Sequence, residues 1–114
     1  MLIEIKGLGV DFMAFSIETL LKGYEFRRLL EDTFKDEDGK KVPYMQLWVE
    51  HPETCEQSRI SVPKEKFDDL LDMDELQKGN LVDVLVNATG GATYSKLRLI
   101  RIEHVYTPDG EVLW

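Results

Sequence analysis

The sequence predicts a mainly β fold: five strands closing on themselves as a small barrel, with one helix between the third and fourth strands. Three observations carry this expectation. A charged turn, Asp36-Glu37-Asp38-Gly39-Lys40, separates two runs rich in aromatic and β-branched residues. An acidic amphipathic stretch, opened by Pro63 and followed by Gly79, interrupts the strand-like runs once. Beyond it come two further runs, Leu81 to Ala88 and Lys96 to Ile102, divided by Gly90-Gly91.

The elements follow in order. Met1 to Val10 shows loose alternation with two glycines and reads as a short strand or an ordered arm. Ala14 to Leu21 fits either a helical turn closed by Gly23 or extended chain. Residues 1–23 are therefore expected as an arm or extra element packed on the barrel, 24–106 as the barrel, and 107–114 as a C-terminal segment. Tyr24 to Phe34 forms the first barrel strand and Val42 to Glu50 its return, joined by a hairpin whose Asp38-Gly39 pair supplies positive backbone angles. Pro52 ends the return strand, and Arg59 to Val62 gives a short third strand.

Pro63 suits a helix first turn, where its missing N–H costs little, and Phe67, Leu70, Leu71 and Leu76 then recur at helical spacing. Gly79 can close that helix in a left-handed conformation. Val82, Val84, Val86 and Ala88 share one face of the next strand and belong in the core. The first and last strands mix apolar parities: Phe26 and Arg28 share one, as do Leu97 and Leu99, while Ile100 and Ile102 differ. Bulges are expected in both. The order of three strands, a helix and two strands is that of a five-stranded OB-like barrel, a fold that often grips single-stranded nucleic acid or sugar chains.

One domain is expected from 114 residues of which 43% are hydrophobic. Apolar runs far shorter than a membrane span and the lack of a signal-like opening predict a cytoplasmic protein with no membrane partner. Cys55 is the sole cysteine, so no internal disulfide forms, and His51 with Cys55 is too small a set for a structural metal site. No metal or cofactor is expected.

The formal net charge of −8 opposes binding to phosphate backbones, whose affinity comes largely from lysine and arginine. The charges are unevenly spread, however. Glu65, Asp68, Asp69, Asp72, Asp74 and Glu75 crowd the helix, and Glu50, Glu53 and Glu56 surround a turn. Arg27, Arg28, Lys40, Lys41, Arg59, Lys96, Arg98 and Arg101 fall on the expected strands or their tips. A locally basic sheet face can coexist with an acidic back.

At this point the chain from Tyr24 to His104 resembles OB-fold single-stranded DNA-binding proteins, of the small phage, plasmid and mobile-element type. The residues that carry the resemblance are the Asp38-Gly39-Lys40-Lys41 hairpin, the aromatic return strand Val42 to Val49, the Lys78 to Val84 entry into the fourth strand, and the closing strand Lys96 to Ile102. It is one of architecture rather than identity. It implies single-stranded DNA binding without sequence preference, in replication, recombination or transfer of a phage or mobile element. RNA is the alternative ligand; the apolar residues of the first twenty positions suit a second copy of the chain, and the tail Asp109 to Trp114 a replication-protein partner.

The physical case for binding rests on the return strand. If Met45, Leu47 and Val49 point inward, alternation puts Tyr44, Gln46 and Trp48 on the opposite face, with the two aromatics about 13 to 14 Å apart. Bases stack on such platforms, and Gln46 between them can offer amide hydrogen bonds. Arg28, Lys40, Lys41, Arg59, Lys96 and Arg98 are the candidate phosphate contacts, and Tyr94 a candidate extension of the surface. The other placement stays open here: a core Trp48 and Tyr44, with Met45 and Leu47 covered by the amino-terminal arm or a partner subunit.

Two other functional classes bear on this sequence. An enzyme is not expected: the acidic run lacks the glycine and glutamate spacing of a calcium loop, and no nucleophile elbow, phosphate loop or zinc-protease helix occurs. A protein-interaction module, an acidic small β-barrel in a larger assembly, suits the charge better. Asp109 to Trp114 could then serve as a docking peptide, and the apolar residues of the first twenty positions as a homodimer seam.

Overall fold

The computed structural model describes residues 2–4, 13–90 and 95–114. Six strands follow one another: β1 (Leu2–Glu4), β2 (Met13–Lys35), β3 (Lys41–Glu50), β4 (Gln57–Ser61), β5 (Leu81–Gly90) and β6 (Ser95–Tyr106). Between β4 and β5 lie a 3-10 turn (Lys64–Lys66) and one short helix, α1 (Phe67–Leu71). The sheet order is β1-β2-β3-β4-β6-β5, and β2 also pairs with β5, so β2 to β6 close into a ring. The result is the OB-like five-stranded barrel, with its helix between the third and fourth barrel strands.

Closure depends on β2 being long enough to serve two neighbours. Its first half pairs antiparallel with β5, from Phe15 opposite Gly90 to Glu25 opposite Leu81. Its second half pairs with β3, from Glu25 opposite Glu50 to Lys35 opposite Lys41. The ring is sealed by a short parallel seam in which Ile60 faces Leu97 and Ser61 faces Arg98. Residues 13–23 are thus not an arm beside the barrel: they are the first half of its longest strand. The local pattern left helix and strand equal for Ala14 to Leu21, and pairing with the buried Val84 and Val86 decides it.

Bulges reconcile the mixed parities. The β2–β3 register steps from Phe26 opposite Val49 to Arg28 opposite Trp48, so Arg27 is an extra residue, Phe26 is buried and Arg28 exposed. A second shift lies between Leu21 and Tyr24, where Gly23 adopts φ +73°. Along β6 the register passes from Leu99 opposite Val86 to Arg101 opposite Leu85, leaving Ile100 over. Leu99 and Ile102 therefore both reach the core, despite opposite parity.

The core gathers Phe26, Met45, Leu47, Val49, Ile60, Val62, Leu70, Val82, Val84, Val86, Leu99, Ile102 and Val105. Leu70 of α1 plugs one end, with Phe67, Met73 and Leu76 packed beside it. The helix is shorter than the spacing up to Leu76 predicts. Its last turn carries no basic residue and runs into Asp72, Asp74 and Glu75, whose negative charge opposes the negative end of the helix dipole. Gly79 does not cap it. At φ +100° it instead lets the chain turn into β5, its N–H bonded to the Phe26 carbonyl and the Asn80 amide to that of Glu75.

The hairpin from Asp36 to Lys40 forms as expected, but only Gly39 has a positive φ, +80°. Asp36 supplies the rest, its carboxylate accepting the N–H groups of Asp38 and Lys40. Residues 111–114 fold back along β6 through a turn at Gly110. Among the described residues no helix is long and apolar enough to cross a membrane. Most of the expected arm Met1 to Val10, the Gly90-Gly91 turn beyond Gly90, and Tyr94 lie outside the described residues.

Candidate nucleic-acid interface

Strand β3 alternates as expected of a half-buried strand. Met45, Leu47 and Val49 are buried, whereas Tyr44, Gln46 and Trp48 are half-buried on the opposite face. Trp48 is therefore an outer-face residue rather than a core one. The register of the three neighbouring strands then builds its surroundings.

Arg28 of β2 lies opposite Trp48, and Trp48 lies opposite Arg59 of β4, so the three form one row across the sheet. The guanidinium carbons of Arg28 and Arg59 stand 4.8 Å and 4.3 Å from the Trp48 ring centre. These are cation–π distances, approached from the strands on the two sides of β3. The indole N–H donates to Gln46 Oε1 at 3.0 Å, which fixes the ring along the strand.

The next row runs Leu30, Gln46, Ser61, Arg98, crossing the parallel seam. That seam brings Arg98 onto the face occupied by Gln46 and Trp48. Beside it, Gln46, Gln57, Arg59, Ser61, Lys96 and Leu97 line a shallow cleft of 470 Å³. Among the described residues, the ion pairs are Arg27 with Glu25 and Arg101 with Glu103. Arg28, Arg59, Lys96 and Arg98 form no ion pair there, although Arg98 also lines a cleft with Glu18 and Glu65.

The remaining candidates stand apart. Tyr44 lies four residue pairs from Trp48 along the hairpin, opposite Asp32, with its ring 6.0 Å from that of Phe34. Phe34 is 51% exposed, an aromatic that the sequence reading left out although it shares Tyr44's face. Lys41 is seven residues from Trp48, about 24 Å along an extended strand, and alternation turns it to the other face of the hairpin. Lys40 lies in the turn itself. The structure thus gathers Arg28, Gln46, Trp48, Arg59, Lys96 and Arg98, keeps Tyr44 on the same face four residues further along β3, and leaves Lys40 and Lys41 apart on the hairpin.

Acid borders this surface. Glu25 and Glu50 occupy the row beyond Trp48, with Gln57. His51 is taken up by its own loop, Nδ1 accepting the N–H groups of Glu53 and Thr54 and the ring meeting Tyr24 edge-on at 5.2 Å. Among the described residues no group of three or more His, Cys, Asp or Glu side chains is arranged to hold a metal ion.

Comparison with known proteins gives no match: no protein-family model, no curated protein and no solved structure is similar to this chain.

Proposed function

We propose that this protein binds single-stranded DNA with little sequence preference, through the outer face of β3 and its neighbours. The observation that carries this reading is Trp48, held half-buried on that face between Arg28 and Arg59. Base stacking on an aromatic is worth about 1 to 3 kcal/mol and tolerates any base, because every base has a π-face. The two guanidiniums already occupy the ring's surroundings, so a base enters by displacing one of them. The displaced arginine then turns to a phosphate. Lys96 and Arg98 carry the backbone across the parallel seam.

The net charge of −8 does not forbid this. At about 0.1 M salt, charges further apart than about 10 Å are largely screened, so the cations beside Trp48 outweigh distant acids on the helix. The same screening makes the affinity steeply salt-dependent. A setting in replication, recombination or transfer of a phage or mobile element follows from the resemblance alone.

The test is a titration of Trp48 fluorescence with oligo-dT in a Trp114→Phe background, at low and then high salt. A duplex of equal length and a non-nucleic polyanion serve as controls. Quenching by the single strand that fades with salt supports the reading. No response at low salt, or an equal response to the polyanion, removes it and favours a protein-interaction module, to which the exposed Val112 and Trp114 lend support.

A further inference from the structure

Along β6 beyond its short pairing with β4, α1 does not close fully against the barrel. Leu70, Met73, Leu99, Ile102 and Trp114 border a groove of 440 Å³ between them. Leu70, Leu99 and Ile102 are buried members of the core, so the floor is apolar and rigid. Trp114 forms one wall and is still 49% exposed.

That exposure is held in place by the backbone. Thr107 and Gly110 make the turn: Thr107 N–H donates to the Glu111 carbonyl and Gly110 N–H to that of Thr107. Val105 then receives the N–H groups of Leu113 and Trp114 on its carbonyl, at 2.7 and 3.1 Å, and donates its own N–H to the Trp114 carbonyl at 3.1 Å. An indole on a pinned backbone, with half its surface in water beside an apolar groove, is the anatomy of an anchor pocket, since tryptophan is among the residues that dominate interface energies.

The rim decides what enters. Asp69, Asp72 and Glu75 line it, opposed by Lys66 and Arg101. Arg101 is spent on Glu103, its Nε 2.7 Å from the carboxylate, so the unpaired charge around the groove is predominantly negative. A nucleic-acid backbone is repelled there. We propose that this groove docks a protein segment bearing a large apolar side chain flanked by lysine or arginine, the apolar group packing on Trp114 and the cations meeting the acidic rim. The proposal stands independently of nucleic-acid binding at Trp48.

Fluorescence anisotropy tests it with a labelled peptide carrying a Leu-Phe pair between two runs of lysine. Two controls replace the Leu-Phe pair by glycines or the lysines by glutamates. The expected result is saturable binding of the first peptide and at least about tenfold weaker binding of both controls. Trp114→Ala should weaken it about tenfold, Trp114→Phe should restore most of it, and Asp69→Lys with Asp72→Lys should abolish the preference for lysine. Urea unfolding of each variant checks that the barrel is intact. Equal binding of the glycine-centred peptide would reduce the effect to general attraction by net charge and overturn the proposal. So would the absence of binding, or unchanged affinity in folded Trp114→Ala.

Discussion

Asp83 accepts the phenol proton of Tyr106 at 2.9 Å, on the same Oδ1 that takes the backbone N–H of Gly23 at 2.8 Å. Asp83 is 6% exposed, and the three residues come from β5, β6 and the bend of β2. The carboxylate ties the bulge that lets β2 turn from one neighbour to the other. Replacing it by alanine strands two donors in a half-buried setting. Asp83→Ala should therefore cost about 1 to 3 kcal/mol in urea unfolding, and Asp83→Asn less, because its carbonyl oxygen can still accept. Equal stability of Asp83→Ala and the wild type would show that the tie is not needed.

The same contact predicts a pH dependence. Burial, the hydrogen bond to Asp83 and then the Asp83 charge all push the Tyr106 phenol above its ordinary value of 10.0. The group is neutral when protonated, so the folded chain holds this proton to higher pH than the unfolded chain does. Its contribution is complete below the unfolded value and is lost as pH rises through the folded one. Unfolding free energy measured from about pH 8 to 11 should fall at the alkaline end in the wild type. Tyr106→Phe should start lower and fall less steeply.

Cys55 is the residue other than glycine, among those described, with a positive φ, 59°. It is exposed and sits in the turn between β3 and β4, its N–H bonded to the His51 carbonyl. A left-handed backbone costs a residue with a Cβ about 1 to 2 kcal/mol, offset partly by the greater unfolded-state freedom of glycine. Cys55→Gly should stabilise the fold by about 0.5 to 1 kcal/mol, read as a higher urea midpoint at unchanged slope.

At the proposed interface, Trp48→Ala should weaken oligo-dT binding by about 1 to 3 kcal/mol while unfolding stays cooperative, because the ring lies outside the core. Arg59→Ala and Arg28→Ala should act differently. Each should lower affinity and reduce the slope of log affinity against log salt by up to about 0.7, the single-strand value for one phosphate contact. Lys41→Ala, about 24 Å from Trp48 along the strand, should leave the slope unchanged for a short oligomer. An equal effect of Lys41→Ala would show that charge acts globally rather than at the Trp48 row.

Much of this was legible in the chain. The Asp38-Gly39 turn, the alternation that buries Met45, Leu47 and Val49, and the valines of β5 are local patterns with a period of two. Local backbone geometry alone carries them, so the strands and the alternation along β3 follow from sequence, while the choice of which β3 face turns inward stays open there. Mixed parities near Arg27 and Ile100 even pointed to the bulges that occur there. The extent of β2 did not, since residues 14–21 have no decisive period and become strand only by pairing with β5. Apolar spacing predicts a longer α1 than forms, because spacing ignores the charge at a helix end.

Which cations meet Trp48 is a different kind of question. Arg28, Arg59 and Arg98 are far apart in the chain, and strand register alone brings them to one face, after a bulge has flipped Arg28 outward. Arg27 and Arg101 looked equivalent to them in sequence, yet their carboxylate neighbours Glu25 and Glu103 neutralise them. Sequence by itself determined most of the strands, the turn and the shared face of Tyr44, Gln46 and Trp48, because each depends on neighbours a few residues away; that this face is the outer one was decided by burial of Met45, Leu47 and Val49 in the barrel. Tertiary structure decided the arginine row and the groove beside Trp114, because both arise from pairings between distant strands that no local period encodes.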